Sequence, residues 1–431
     1  MVSSRPIKRL TVTHDDSGLL LDPREAGAAL ASLSPATIAD PDDAAPYMTA
    51  YLDWRPAGSD PGRRPARRQF EDAANELLAH YPARTPAAES LAIDIERITK
   101  YLDGERVDRS IDVPPLPSAT QGIVIVARAQ AGVFEPIVLG VPAETNVTAA
   151  PIPALAELIR IGEDYEPYAV LVADKQEANL TFVAQGRAQR EVNVRGAGYP
   201  FRRKAGGNQR RYQARAGERL DQFARTLAEG VRRELDEWGV HVLIVAGDEV
   251  ITSPLMSAFP ASVSDRVVGL MRKDIRAATQ DVIDKTLPVA WEAEREREAG
   301  MVDRIAQTIG AGGPAVAGPD AVLRALKDRR VEEIAMVDDF AIDGWSDYAA
   351  RVAGVGAIPD RHPTGGRESD MVPVPIQEEL IRLAMIGGAE VEIVQIAAAG
   401  EASLANQGVN PRSEMAQQLD QLGGVAATLR Y

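Results

Sequence analysis

The chain has 431 residues, 45% of them hydrophobic, 26% charged and only 5% aromatic, with a formal net charge of -15. That length asks for two or three domains, with cores built mainly from Ala, Val, Leu and Ile. The absence of cysteine excludes a disulfide framework, a thiolate metal site and a cysteine nucleophile.

The four histidines, His14, His80, His241 and His362, are scattered and offer neither zinc spacing nor a serine–histidine pairing. No stretch approaches the roughly 18 apolar residues of a membrane span. The start, MVSSRPIKRLTVTH, lacks the apolar core of a signal peptide. No membrane association is therefore expected, and the cytoplasm is the expected compartment.

Three segments follow from the patterning, 1–157, 158–290 and 291–431. The first begins with a short apolar run, Tyr47 to Trp54. A basic amphipathic stretch at 63–80 carries Phe70, Ala74, Leu77 and Leu78 on one face. A helix is expected over 87–102 through Leu91, Ile95, Ile98 and Leu102, ended by the Pro-rich VPPLPS at 113–118. Strands are expected at 122–127 and 134–140. Together these elements form a small mixed α/β domain.

The second segment opens with three alternating runs, 168–174, 179–185 and 189–195, which read as an antiparallel meander. A long Gly- and Arg-rich loop is expected at 196–216. A helix over 217–238 follows, with Leu220, Phe223, Leu227, Val231, Leu235 and Trp238 on one face. An apolar strand at 240–246 comes next.

The third segment opens with the charged run EAEREREAG at 292–300, the pattern of a solvated helix face. Gly and Pro break the chain at 310–319. A helix at 320–329, a strand at 331–338, a helix at 376–385 and a strand at 389–396 then alternate as in an α/β sandwich. Residues 354–373 read as a loop, 397–417 as weakly patterned, and GGVAATLRY as a closing strand.

The chemistry concentrates in residues 195–219, RGAGYPFRRKAGGNQRRYQARAGER, where eight basic residues face one acid, Glu218, for a local charge of +7. Such a concentration inside an acidic chain is an electrostatic footprint for a polyanion. Gly206 and Gly207 let a backbone approach a crowded partner closely. Gln209 adds an amide that both donates and accepts. Ester cleavage needs donors aimed at a developing oxyanion and a positioned water, and it needs no protein base where the surroundings transfer the proton. The bland alternative is a solvated hairpin tip with incidental arginines. A nucleotide loop does not fit, because G-x-x-x-x-G-K-[ST] and G-x-G-x-x-G are both missing.

The run RRKAGGNQRRYQARAGERLDQFARTLAEGV (202–231) resembles the loop and following helix of the class-one release factors of archaea and eukaryotes, which share a family with Pelota; in those release factors a Gly-Gly-Gln loop precedes a long amphipathic helix. VHVLIVAGDE (240–249) is similar to the family's next strand. GPDAVLRALKDRRVEEIAMVDDF (318–340) and QLGGVAATLRY (421–431) resemble the start and close of its third domain. The matches are in order over about 168–431, nearest to the bacterial release-factor-like proteins of archaeo-eukaryotic type.

The resemblance implies an α/β, multidomain chain. It has a mixed α/β N-terminal domain, an RNase-H-like middle domain and a C-terminal sandwich akin to kink-turn-binding ribosomal proteins. It implies a ribosomal peptidyl-tRNA hydrolase of rescue or quality control, with Gly206, Gly207 and Gln209 catalytic. Arg202, Arg203, Lys204, Arg210, Arg211 and Arg215 would contact rRNA or the tRNA acceptor end. No cofactor and no metal are implied. A translational GTPase or an ATPase is a further partner to expect at the third domain.

Two departures stand out. Asn208 separates the glycines from the glutamine, a Gly-x-x-Gln form resembling relatives associated with ribosome quality control. The inserted residue shifts the amide by up to about 3.5 Å. The first segment lacks Asn-Ile-Lys-Ser, so stop-codon decoding is not expected. A non-catalytic Pelota-like factor that occupies the A site in rescue or hibernation is the alternative.

Other candidates are weighed against packing. Asp338, Asp339 and Asp343 could hold Mg²⁺ but read as solvated acids. Asp174, Glu191 and Asp248 lack metal-binding spacing. Arg63, Arg64, Arg67 and Arg68 suit either RNA or a solvated face. Trp238, Trp291 and Trp345 read as packing.

Overall fold

The computed structural model describes residues 23–36, 45–57, 64–107, 116–117, 119–174, 177–195, 209–272, 278–396 and 413–431, with backbone alone for 194–195, 209–217 and 219. The chain divides into two compact units, Met1–Glu163 with Arg297–Tyr431, and Asp164–Glu296.

The first unit begins with helix α1 (Pro23–Ala31), strand β1 (Tyr47–Asp53), helices α2 (Ala66–Ala79) and α3 (Pro86–Leu102), strands β2 (Gly122–Arg128), β3 (Val133–Leu139) and β4 (Asn146–Ala150), and helix α4 (Ala156–Asp164). The strands form an antiparallel sheet in the order β3-β2-β1-β4. The apolar run at 47–54 is thus a central strand. It is buried along almost its whole length, which is why it lacks the alternation of a half-exposed strand.

The helix expected at 87–102 starts one residue earlier. Thr85 caps it by accepting the Ala88 N–H at 3.2 Å, and Pro86 occupies a first-turn position, where its missing N–H costs nothing. Its face Leu91, Ile98 and Leu102 packs with Phe70 and Ala74 of α2 on Met48, Ala50, Leu52, Ile123 and Ile125 of the sheet.

The second unit holds strands β5 (Tyr168–Ala173), β6 (Glu177–Ala184) and β7 (Arg187–Arg195), helix α5 (Gln209–Trp238), strand β8 (Leu243–Gly247), helices α6 (Glu249–Ala258) and α7 (Ala261–Ser264), strand β9 (Val267–Met271), and the first part of helix α8 (Thr279–Gly310). The sheet order is β7-β6-β5-β8-β9. The first three strands are the expected antiparallel meander, and β8 and β9 add in parallel. This is the strand order of an RNase-H-like domain.

Gln185 and Gly186, at φ 49° and 68°, turn β6 into β7 with the positive-φ pair that suits a two-residue hairpin. One sheet face packs Leu171, Leu180, Phe182 and Val245 under Leu227, Val231 and Leu235 of α5. The other packs Val170, Val172 and Ile244 against Val282 and Ile283 of α8.

Helix α5 begins at Gln209, eight residues before the expected start at 217. Gln, Arg and Ala are strong helix formers, so QRRYQARA extends the helix although its charge reads as loop. Gly217 lies inside the helix rather than at its start. The charged run 292–300 and Pro288 also lie within a single helix, α8.

The first unit resumes with strand β10 (Ala315–Ala317), helix α9 (Pro319–Lys327), strands β11 (Val331–Val337), β12 (Asp343–Asp347), β13 (Val352–Val355) and β14 (Val372–Pro375), helix α10 (Ile376–Gly387), strand β15 (Glu390–Val394), helix α11 (Glu414–Gln421) and strand β16 (Val425–Leu429). The expected sandwich elements form the sheet β10-β16-β11-β15. Gly423 and Gly424, at φ 88° and 79°, lead into the closing strand. A Cβ on Gly424 would lie 2.8 Å from Phe340, so that Gly-Gly pair answers a backbone and packing demand.

The loop expected at 354–373 instead contains the end of β13 and the start of β14, which flank β12 in a second sheet. Four-residue strands with two prolines in one of them give too short a pattern to read. Gly354 faces Trp345, where a Cβ would come within 2.7 Å of the indole. Buried His362 holds the region together. Its Nε2 lies 3.0 Å from Asp347, and its Nδ1 accepts the N–H groups of Thr364 and Gly366. Of the weakly patterned 397–417, residues 414–417 fall in α11, capped by Ser413, and 397–412 lie outside the described residues.

Candidate functional site

The site is framed by β7, which enters the basic segment, and α5, which leaves it. Arg202, Arg203, Lys204, Gly206, Gly207 and Asn208 lie outside the described residues. Gln209 is the first residue of α5, and Arg210 and Arg211 follow it in the first turn. Arg215 stands in the second turn. Positions 211, 215 and 219 are four apart and therefore fall on one ridge of the helix.

A helix of 30 residues spans about 45 Å. Its N-terminus carries a partial positive charge and backbone N–H groups without intrahelical acceptors. Such an end suits an anion.

The described core packing of α5 starts at Leu220 and Phe223 and runs to Trp238. The indole of Trp238 stacks on Phe182, with ring centroids 5.2 Å apart and planes 25° apart. Trp291 donates its indole N–H to the Asp164 carbonyl at 2.7 Å and meets the Tyr165 ring edge-on. Trp345 is buried. All three tryptophans pack.

The other sequence candidates take separate local roles. Asp174 accepts the Glu177 N–H at 2.8 Å. Glu191 accepts the Thr279 hydroxyl at 2.6 Å, and Asp248 caps α6 through the Val250 N–H. Among the described residues no group of three His, Asp or Glu side chains could hold a metal ion.

Burial pushes the Asp338 carboxyl up, while Asp343 lies in β12. In the N-terminal stretch, Arg64 stacks over Trp54 at 5.1 Å and donates to its carbonyl. Arg67 bonds Asp103 and Glu71, and Arg68 lies 3.6 Å from Asp72. Those three arginines belong to a solvated, internally paired face. Arg63 lies outside the described residues.

A five-stranded sheet of this order, followed after β7 by a long amphipathic helix, is the arrangement expected of the middle segment from the sequence. Residues 153–291 match the model of bacterial archaeo-eukaryotic release factor family 10. Within that segment the chain is similar to a bacterial family of archaeo-eukaryotic release factors. No curated protein matches the chain.

Solved structures similar to it include Pelota of Archaeoglobus fulgidus, at 15% identity over 72% of this chain and 79% of that one, with a TM-score of 0.30. The archaeal translation termination factor aRF1 shows 15% identity over 96% and 99%, with a TM-score of 0.23. Dom34 of S. cerevisiae shows 10% identity over 72% and 79%, with a TM-score of 0.39. Among the described residues no helix is long and apolar enough to cross a membrane.

Proposed function

We propose that this protein works on the ribosome, in the cytoplasm, as a peptidyl-tRNA hydrolase of rescue or quality control. The observation that carries this reading is the position of Gln209. It is the first residue of a 30-residue helix, directly after Gly206, Gly207 and Asn208, inside a segment of local charge +7.

The chemistry follows from that placement. The peptidyl ester carbonyl develops negative charge as water attacks. Backbone N–H groups at the start of α5 and the Gln209 amide supply donors to that charge, and the helix dipole favours it. The amide also accepts from the attacking water and orients it. Gly206 and Gly207 permit the close approach that side chains would block. Arg202, Arg203, Lys204, Arg210, Arg211 and Arg215 grip phosphates of rRNA or the tRNA acceptor end. Proton transfer falls to the RNA surroundings.

The second reading is a non-catalytic factor that occupies the A site in rescue or hibernation. Asn208 favours it, because one extra residue displaces the amide by up to about 3.5 Å. A translational GTPase or an ATPase is the partner proposed for the C-terminal sheet. Peptide release from ribosomes carrying peptidyl-tRNA tests the two readings. Release supports the hydrolase, and co-sedimentation without release supports the occupant.

A further inference from the structure

We infer that Arg190 is a positioning residue that locks the strand entering the basic segment onto the helix leaving it. The inference rests on the functional reading above for its consequence, but its geometry stands alone.

Strand β7 pairs with β6 as Thr181↔Glu191 and Phe182↔Arg190, and then shifts to Val183↔Ala188. Gln189 is left over as a β-bulge. A bulge bends its strand and re-aims the neighbouring side chain. Here the side chain is Arg190, set on the sheet face of its cross-strand partner Phe182, the face that packs against α5.

The Arg190 guanidinium lies 3.1 Å from the Glu234 carboxylate of α5. It also sits 5.2 Å from the centroid of the Trp238 ring, in cation–π range. Trp238 in turn stacks on Phe182 at 5.2 Å. One aromatic residue of the helix therefore meets both members of a cross-strand pair. The Glu234 side chain is 12% exposed and the Arg190 side chain 36%, so the pair is shielded from solvent on its Glu234 side. The next residue, Glu191, accepts the Thr279 hydroxyl at 2.6 Å and ties β7 to α8 as well.

The clamp holds the far end of a lever. Glu234 is 25 residues from Gln209, about 37 Å along the helix. A rotation of about 5° at the clamp would move the start of α5 by about 3 Å. Misplacement of about 1 Å is enough to cost a large factor in rate. Residues 196–208 connect β7 to α5, so the clamp ties together the two elements that flank that segment.

The cysteine-free chain accepts a pair of spin labels at Asn193→Cys and Glu218→Cys. Pulsed dipolar spectroscopy on the full protein then reads the strand-to-helix distance distribution, beside peptide release and ribosome binding. Arg190→Ala should broaden the distribution and lower kcat for release about tenfold with ribosome binding unchanged. Arg190→Lys, which keeps a cation within reach of both partners, should recover at least half of the rate.

Glu234→Gln removes the ion pair while keeping volume and the Trp238 stack. It replaces Arg190→Ala as the test variant if that protein unfolds. An unchanged distance distribution in the folded variant overturns the clamp. A broadened distribution with an unchanged release rate overturns the positioning role. A wild type that releases nothing while the distribution still responds removes the hydrolase reading and leaves the clamp standing.

Discussion

The amide N–H of Ile393 points at the carboxylate of Glu163 and lies 3.2 Å from both of its oxygens, across 230 residues of chain. This bond ties α4 to β15 inside the first unit. Burial pushes the Glu163 carboxyl well up, and the nearby Glu392 pushes it further. Glu392 is pushed up to about 8 by burial first, and then by Glu298, against the opposing pull of Arg24 and Arg297. The Oε1 atom of Glu392 is buried with no hydrogen-bond partner among the described residues, which suits a neutral carboxyl better than a charged one.

A pH dependence of stability follows. The folded-state value of Glu392, about 8, stands above its ordinary 4.5. Its stabilising contribution is therefore complete below about 4.5 and is lost as pH rises through about 8. Thermal unfolding followed by calorimetry should show the transition of the first unit falling between pH 5 and pH 8. Glu392→Gln, which stays neutral, should flatten that slope and raise Tm at pH 8 by at least about 2 °C. A variant with the wild-type slope would contradict the assignment.

A second prediction concerns Glu378. Its carboxylate accepts the N–H groups of Leu155 and Ala156 at 2.5 and 3.2 Å, capping α4 from the C-terminal stretch. Glu378→Ala should cost about 1 to 2 kcal/mol in urea unfolding. Glu378→Gln should recover part of that loss through its remaining acceptor. Equal stability of wild type and Glu378→Ala would show that water replaces the cap without cost.

Charge carries the third prediction. Neutralising Arg202, Arg203, Lys204, Arg210 and Arg211 together should weaken ribosome binding. It should also reduce the slope of log affinity against log salt by about 0.7 to 0.9 for each phosphate that no longer meets a cation. Replacing Arg64, Arg67 and Arg68 should leave that slope unchanged, since those side chains have partners within the chain. A salt slope insensitive to the five loop cations would make the basic segment incidental.

Much of the fold was legible because its periods are clean. Leu91, Ile98 and Leu102 mark α3, and the alternation through 168–195 marks the meander. The start of α5 was not legible. A run dense in arginine reads as loop by charge and as helix by propensity, and propensity prevails from Gln209 onward. Strand β9 leaves little sequence pattern, because it is a five-residue edge strand interrupted by Gly269, whose absent Cβ leaves room for Val289.

The proposed site is only in part a matter of local sequence. Its basic residues and glycines announce themselves in one contiguous run. The groups proposed to brace it, Arg190, Glu234 and Trp238, are brought together only by the pairing of β6 with β7 and the packing of α5. No local pattern marks such a meeting. The same holds for Glu163 and Ile393, which no window of sequence contains together.

The most direct measurement is release of labelled peptide from purified bacterial ribosomes carrying peptidyl-tRNA, with wild type beside Gln209→Ala and both proteins scored for ribosome binding by sedimentation. The hydrolase account predicts release by the wild type that falls at least about 100-fold in the variant, with binding nearly intact. Release that survives Gln209→Ala would contradict the role given to that amide, and binding without release from either protein would make the molecule an A-site occupant instead.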